Sequence, residues 1–388
     1  MDVTRDVGAA DPYRSAVSAS VWNSLDTLTE LPPAVLRAHL CGFDVRPADL
    51  RSLFDDWHEQ QSPGQGNAVV VTGCNDYRLG PLEDALERIL DRLILRDRIE
   101  VARTILIKVG LVEGRHPGWQ ATTQPTLLRA LIAAIRSLSA TARLVVADGS
   151  GHEKDSALLL RSCGLADVIA DSEGVEYVDL NFDDLAVVNV TDPLTFSALA
   201  LPVSIVEADL VISLAKLKTH HWTGVTLGMK NLFGALPGSV YGFPKNRLHW
   251  ASLPRAIADI YATIRPGLTI VDGILGVEGD GPLRGRPKHV GALLASRSAF
   301  ACDVTGARLM GFSHLLLPQF WFAAMKDRGG LAIDTVGDDI GKFATTFAAP
   351  PNMPWLYDSW DRPRERLFDD AQQLLVAAAH PAAGPGSS

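Results

Sequence analysis

Short apolar runs alternate with stretches of helical periodicity along the middle of the chain. Val69–Thr72, Thr104–Val109, Arg143–Asp148, Val175–Leu180, Leu210–Leu214, Leu268–Val271 and Gly291–Ser296 read as buried strands. Between them, Leu82–Leu95 carries Leu82, Leu86, Ile89, Leu90 and Leu93 on one helical face. Pro125–Leu138 is a second helix, opened by Thr122-Thr123-Gln124 and by a proline in its first turn, where a missing amide costs nothing. Asp155–Cys163, stopped by Gly164, then Leu253–Ile264 and Ala299–Met310 complete the set. Alternation of strand and helix implies right-handed crossovers and a mostly parallel sheet with flanking helices, an α/β fold of Rossmann-like layers. Asn181–Pro202 reads as a small antiparallel insertion with Ala186–Val190 as one strand.

The ends of the chain follow a different pattern. Residues 1–66 hold short amphipathic pieces and predict an N-terminal helical extension, closed by a Ser-Pro-Gly-Gln-Gly-Asn loop. The α/β region spans 67–312, as one body or two lobes. A C-terminal segment, 313–380, is rich in aromatics and carries an expected helix at Arg364–Ala379, and 381–388 reads as a disordered tail. The trio Phe320, Trp321 and Phe322 reads as core or as the contact of a homodimer.

One abrupt change stands out. After the apolar Leu210–Leu214 the chain turns to Lys216, Lys218, His220, His221, Thr226, Lys230 and Asn231, punctuated by Gly224, Gly228 and Gly234. A buried strand that ends in polar groups delivers them to its carboxyl edge, where open α/β sheets bind ligands. Lys216, Lys218 and His220 are two apart and share a face on extended chain, while Thr226 and Lys230, four apart, would share a helix face. The glycines let backbone approach a ligand closely. The competing reading is a solvated loop whose lysines only confer solubility.

Other strand ends add candidates. Lys108 closes one strand, as a ligand contact or a snorkelling edge residue, and Asp148 closes the next. Cys74 follows the first strand, as a nucleophile or a packed thiol. Arg247 and His249 sit in a loop after the polar stretch. Asp272, Glu278 and Asp280 lie in or beside a Gly-rich turn, Gly273–Gly285, and Asp303 lies on the following helix.

The segment "KLKTHHWTGVTLGMKNLFG" (Lys216–Gly234) resembles the core signature of the DUF362 family. Ile105–Val109 with the later "TTQP", Val271–Gly285 and Ala295–Gly311 agree with it in the expected order, over roughly residues 100–312. The resemblance favours Lys108 as a ligand contact and includes Asp303, for which a solvent-facing or helix-capping role is an equal alternative. It also brings in iron-sulfur relatives, from which this chain departs: Cys41, Cys74, Cys163 and Cys302 are scattered and no Cys-x-x-Cys exists, so no iron-sulfur cluster is expected. His220–Gly238 is faintly similar to a Lys/His/Gly-rich stretch of the nickel-pincer lactate racemase family.

Composition narrows the partners. Thirty-six basic against 45 acidic residues give a formal charge of −9 over 388 residues, which argues against nucleic acid. No apolar run approaches the ~18 residues of a membrane span, and the N-terminus lacks a secretion-signal pattern. A cytoplasmic protein without membrane contact, binding a small anionic molecule, is the expectation. The leading function is an enzyme using Lys/His acid-base chemistry for isomerisation, elimination or cyclisation. His220, Lys218 and Lys230 are then catalytic, and Lys108, Lys216, Thr226, Asn231, Asp148 and Arg247 bind the ligand. Neighbouring lysines favour a neutral His220, suited to act as a base near neutral pH. A second reading is a metal-dependent enzyme with one divalent Zn, Ni or Fe ion on His220, His249, Asp272 and Glu278. A third is an anion-binding protein that turns nothing over.

Overall fold

Val70, Ile105, Ile107, Leu144, Val146, Leu210 and Ile212 alternate along their strands with Val71, Leu106, Val145 and Val211, and the two sets lie in two separate apolar cores. Strands apolar on both faces must be covered on both faces, and this is the arrangement found. The computed structural model describes residues 67–351 apart from 113, 115, 152–154, 313, 315–316 and 327–332. The expected N-terminal extension (1–66), the helix Arg364–Ala379 and the tail 381–388 lie outside the described residues.

A nine-stranded sheet runs through the molecule. Its strands are β1 (Asn67–Gly73), β2 (Thr104–Lys108), β3 (Arg143–Asp148), β4 (Val175–Asp179), β7 (Leu210–His220), β8 (Gly224–Thr226), β9 (Leu268–Glu278), β10 (Arg286–Ser296) and β11 (Ile333–Gly337). The order is β11-β1-β10-β9-β7-β2-β3-β4, with β8 added beside β7. Pairings β9-β7, β7-β2, β2-β3, β3-β4 and β1-β11 are parallel, and β10 and β8 run antiparallel to their neighbours. The insertion is a separate hairpin of β5 (Leu185–Asn189) and β6 (Ala198–Pro202). Helices α1 (Leu79–Arg92) and α2 (Pro125–Leu138) cover one face; α3 (Leu253–Ile264), α4 (Ala299–Leu309) and α5 (Pro318–Lys326) cover the other. Among the described residues no helix is long and apolar enough to cross a membrane.

Two strands are longer than the apolar pattern implies. β7 does not stop at Leu214 but continues to His220, all eleven residues buried. β9 runs through the expected Gly-rich turn to Glu278, so Asp272 is mid-strand and in register with Lys216. Both extensions exist because their polar side chains find partners inside the protein, which removes the cost of burying them. Phe320, Trp321 and Phe322 are at most 1% exposed and form part of the core.

A pin at the far side ties the insertion to α3 and α5. Asp259 on α3 accepts from the backbone N–H groups of Leu194, Thr195 and Phe196 and from the Lys326 ammonium, 2.7 Å away. The pair is buried, and Lys326 also donates to the carbonyls of Thr191 and Asp192.

Candidate functional site at the carboxyl edge of the sheet

Because β2, β3, β7 and β9 run in the same direction, their carboxyl ends meet along one edge. β7 and β9 project beyond β2 and β3, so their last residues form a wall over that edge. A cavity of about 140 Å³ opens there, lined by Lys108, Asp148, Lys216, Lys218, His220, Thr226, Lys230, Asn231, Lys245 and His249, with the backbone of Gly110, Gly149 and Gly234 between them. This is where α/β sheets place ligands.

The five lysines are held in unlike ways. Lys108 pairs with Asp148 at 2.7 Å and Lys216 with Asp272 at 2.9 Å, all four side chains at most 2% exposed. Asp148 also accepts from the amides of Leu111 and Gly149. Lys216 donates as well to Gln120 Oε1, and the Tyr77 hydroxyl donates to Asp272, so the second pair is closed by a network. Burial and the Asp272 charge push the Tyr77 phenol far up, which keeps it a donor. The other three lysines have no carboxylate partner among the described residues. Lys218 donates to the Ala121 carbonyl at 2.7 Å. Lys245 donates to the carbonyls of Gly149, Gly234 and Phe233. Lys230, half-buried at the cavity, places Nζ 3.8 Å from the centre of the Phe233 ring. Loss of solvent lowers Lys218, Lys230 and Lys245 each to about 7, helped by the Lys216 charge at Lys218 and by the Lys245 and Lys218 charges at Lys230, and opposed by Asp148 at Lys245. Five lysines thus share this edge with two carboxylates, each of which is paired to one of them.

His220 is buried, and desolvation followed by the Lys230 charge holds its pKa well below the usual histidine value, so the ring is neutral. The neutral form expected from sequence is met, but its orientation alters its use. Nδ1 accepts from the backbone N–H groups of Trp222 and Thr223, at 3.0 and 3.3 Å. The ring proton is therefore on Nε2, and His220 is a hydrogen-bond donor rather than the base expected from sequence.

The expected site residues fall into three groups. Lys108, Lys216, Lys218, His220, Thr226, Lys230, Asn231 and Asp148 come together around the cavity. Thr226 and Lys230 do so from strand β8 and from the short turn of helix Gly228–Asn231, not from one helix face. Arg247 is outside the lining, which includes Lys245 instead, a residue with a left-handed backbone, φ 66°. The four-residue metal set does not converge. Asp272 is engaged by Lys216 and Tyr77, and Glu278 by Arg286 and the Ala348 amide. His249 packs edge-on between Trp222 and Phe233. Among the described residues no three His, Cys, Asp or Glu side chains are placed to share a metal ion. Cys74, Cys163 and Cys302 are buried thiols, and burial pushes Cys74 up, as befits packing rather than nucleophilic attack.

Two of the glycines serve the protein's own packing. A side chain at Gly228 would meet Asp303 and Thr269, and one at Gly234 would meet the Lys108–Asp148 pair, 2.6 Å from Lys108 Nζ. Asp303 on α4 accepts from the amides of Gly228 and Met229 at 2.7 and 2.9 Å, and so fixes the turn that carries Lys230 and Asn231.

Fold and site define an α/β protein with a lysine-rich cavity at the strand-carboxyl edge. The family described as Domain of unknown function (DUF362) matches residues 105–308, just over half of the chain, and the chain belongs to that family. It is 29% identical over 279 residues to the thylakoid-associated protein sll1697 of Synechocystis sp., covering 68% of this chain and 80% of that protein. Among solved structures, the lactate racemase apoprotein from Thermoanaerobacterium thermosaccharolyticum aligns with a TM-score of 0.40 at 16% identity, over 62% of this chain and 57% of the racemase.

Proposed function

We propose that this protein is an enzyme that binds a small anionic metabolite in the lysine-lined cavity and moves a proton on it, in an isomerisation, elimination or cyclisation. The observation that carries this reading is the trio Lys218, Lys230 and Lys245, gathered at one cavity and none of them ion-paired to a carboxylate among the described residues, the lining Asp148 being paired with Lys108. A bound carboxylate or phosphate would supply the missing charge. An amine poised near 7 then serves as acid or base at physiological pH, and His220 Nε2–H is suited to steady negative charge that develops on oxygen. A cavity of roughly 150 Å³ holds a molecule of benzene size, so the enclosed part of the substrate has about six heavy atoms.

The test is exchange of carbon-bound hydrogen in deuterated water. Pyruvate, malate and phosphoglycolate are each incubated with the full-length protein and followed by proton NMR. Exchange in at least one, lost in Lys218→Met with the fold retained, is expected. Binding of these anions with no exchange would leave a non-catalytic anion-binding protein instead. The name of the Synechocystis relative associates it with thylakoids, so cell fractionation is the check on the cytoplasmic placement read from the sequence.

A further inference from the structure

We infer that Lys230 captures a small 2-oxo acid covalently, as a Schiff base between its Nζ and the carbonyl carbon. This rests on the proton-transfer site proposed above and names its substrate class.

The five lysines differ in whether a nitrogen lone pair is free. Lys108 and Lys216 are fixed to carboxylates. Lys245 meets three carbonyl oxygens, which match the three N–H bonds of an ammonium and leave nothing for attack. Lys218 donates to the Ala121 carbonyl, which leaves an amine lone pair free, but it stands opposite Thr226 at the place assigned below to the carboxylate. Lys230 alone of the five has no hydrogen-bond acceptor among the described residues; its Nζ rests on the Phe233 ring face and is half-buried, within reach of a ligand. A ring face attracts an ammonium but does not occupy the lone pair of an amine. Desolvation and the nearby Lys245, Lys218 and Lys108 charges favour the neutral amine, the means by which lysine nucleophiles are activated.

The surroundings fit a 2-oxo acid. Lys218 and Thr226 lie directly opposite each other across β7 and β8 and both line the cavity, a place for the carboxylate. His220 offers Nε2–H to the carbonyl oxygen. The Lys230 lone pair adds to the carbonyl carbon while the C=O π pair moves to oxygen. A proton passes from the new ammonium nitrogen to that oxygen, giving a carbinolamine. The C–O bond then breaks as the nitrogen lone pair forms C=N, and the hydroxyl leaves as water with a proton from solvent. One amine, one carbonyl and one proton give one iminium and one water, with no redox partner. The iminium acidifies the neighbouring C–H, which connects capture to proton transfer.

The experiment treats the full-length protein with pyruvate and sodium cyanoborohydride near pH 7 and reads the labelled peptides by mass spectrometry. Expected is a carboxyethyl group on Lys230, formed at least about a hundredfold faster than on exposed Lys342, because the Lys230 amine is about half neutral near pH 7; Lys230→Arg abolishes it. A Lys230 rate no greater than that of Lys342, or labelling of Lys218 or Lys245 that persists in Lys230→Arg, overturns the assignment. Exchange of the pyruvate methyl hydrogens without any adduct overturns covalent capture and leaves acid-base chemistry standing; no adduct together with no exchange in pyruvate, malate or phosphoglycolate overturns both.

Discussion

Asp303 receives the amides of Gly228 and Met229 and thereby sets the position of Lys230, although the two side chains belong to different elements. Its carboxyl is buried, and desolvation raises it to about 8 despite the two amides. Asp303→Ala orphans two buried N–H groups at about 1–3 kcal/mol each. Denaturant unfolding is expected to show a loss of a few kcal/mol, and phosphate affinity, measured by calorimetry, falls with it. Asp303→Asn, which keeps one acceptor, loses less. Equal effects of the two variants would show that the amide contacts are not what matters.

The apo protein gains stability as pH rises from about 7 to 10.5. Lys218 and Lys245 have folded-state values near 7 against ordinary values of 10.5, so between these limits the unfolded chain binds more protons. The penalty is full below 7 and gone above 10.5. Lys218→Met should flatten the slope by up to about 1.4 kcal/mol per pH unit, as read from urea midpoints across that range. An unchanged slope would mean that Lys218 titrates normally.

Gly234→Ala tests the Lys108–Asp148 pair through its backbone neighbour. The added methyl group displaces one partner, and breaking a buried pair costs about 3–5 kcal/mol. Thermal unfolding is expected to drop accordingly and phosphate affinity to weaken. A native-like melting curve would show that the edge yields easily.

Lys216→Met leaves Asp272 buried without its cation, again about 3–5 kcal/mol, whereas Lys216→Met with Asp272→Leu removes both charges and recovers much of the loss. The double variant no worse than Asp272→Leu alone is the expected pattern in a double-mutant cycle. Additive losses would mean that the two act separately.

Much of this was legible beforehand. Pro125–Leu138, Arg143–Asp148 and Leu253–Ile264 have the bounds that periodicity predicts, because apolar spacing and proline or glycine boundaries act locally. The far half of β7 was not, since an apolar criterion ends a strand at Lys216 while the backbone ladder continues. What permits its burial is supplied from elsewhere in the chain, by Asp272 and by the Ala121 carbonyl. Lys245 was not legible, since it lies in a loop without periodicity and its acceptors, the carbonyls of Gly149, Phe233 and Gly234, come from other parts of the chain. The tautomer of His220 depends on two amides just beyond it, a turn geometry that residue types do not encode.

Along β7 two properties are written on alternate residues. Lys216, Lys218 and His220 face the cavity, while Leu217 lies in the opposite core and Thr219 bonds to the carbonyls of Val277 and Gly279. Substitution at the even positions therefore alters the cavity, while substitution at the odd ones alters the packing and backbone contacts behind it. An insertion or deletion of a single residue upstream would transpose the two roles.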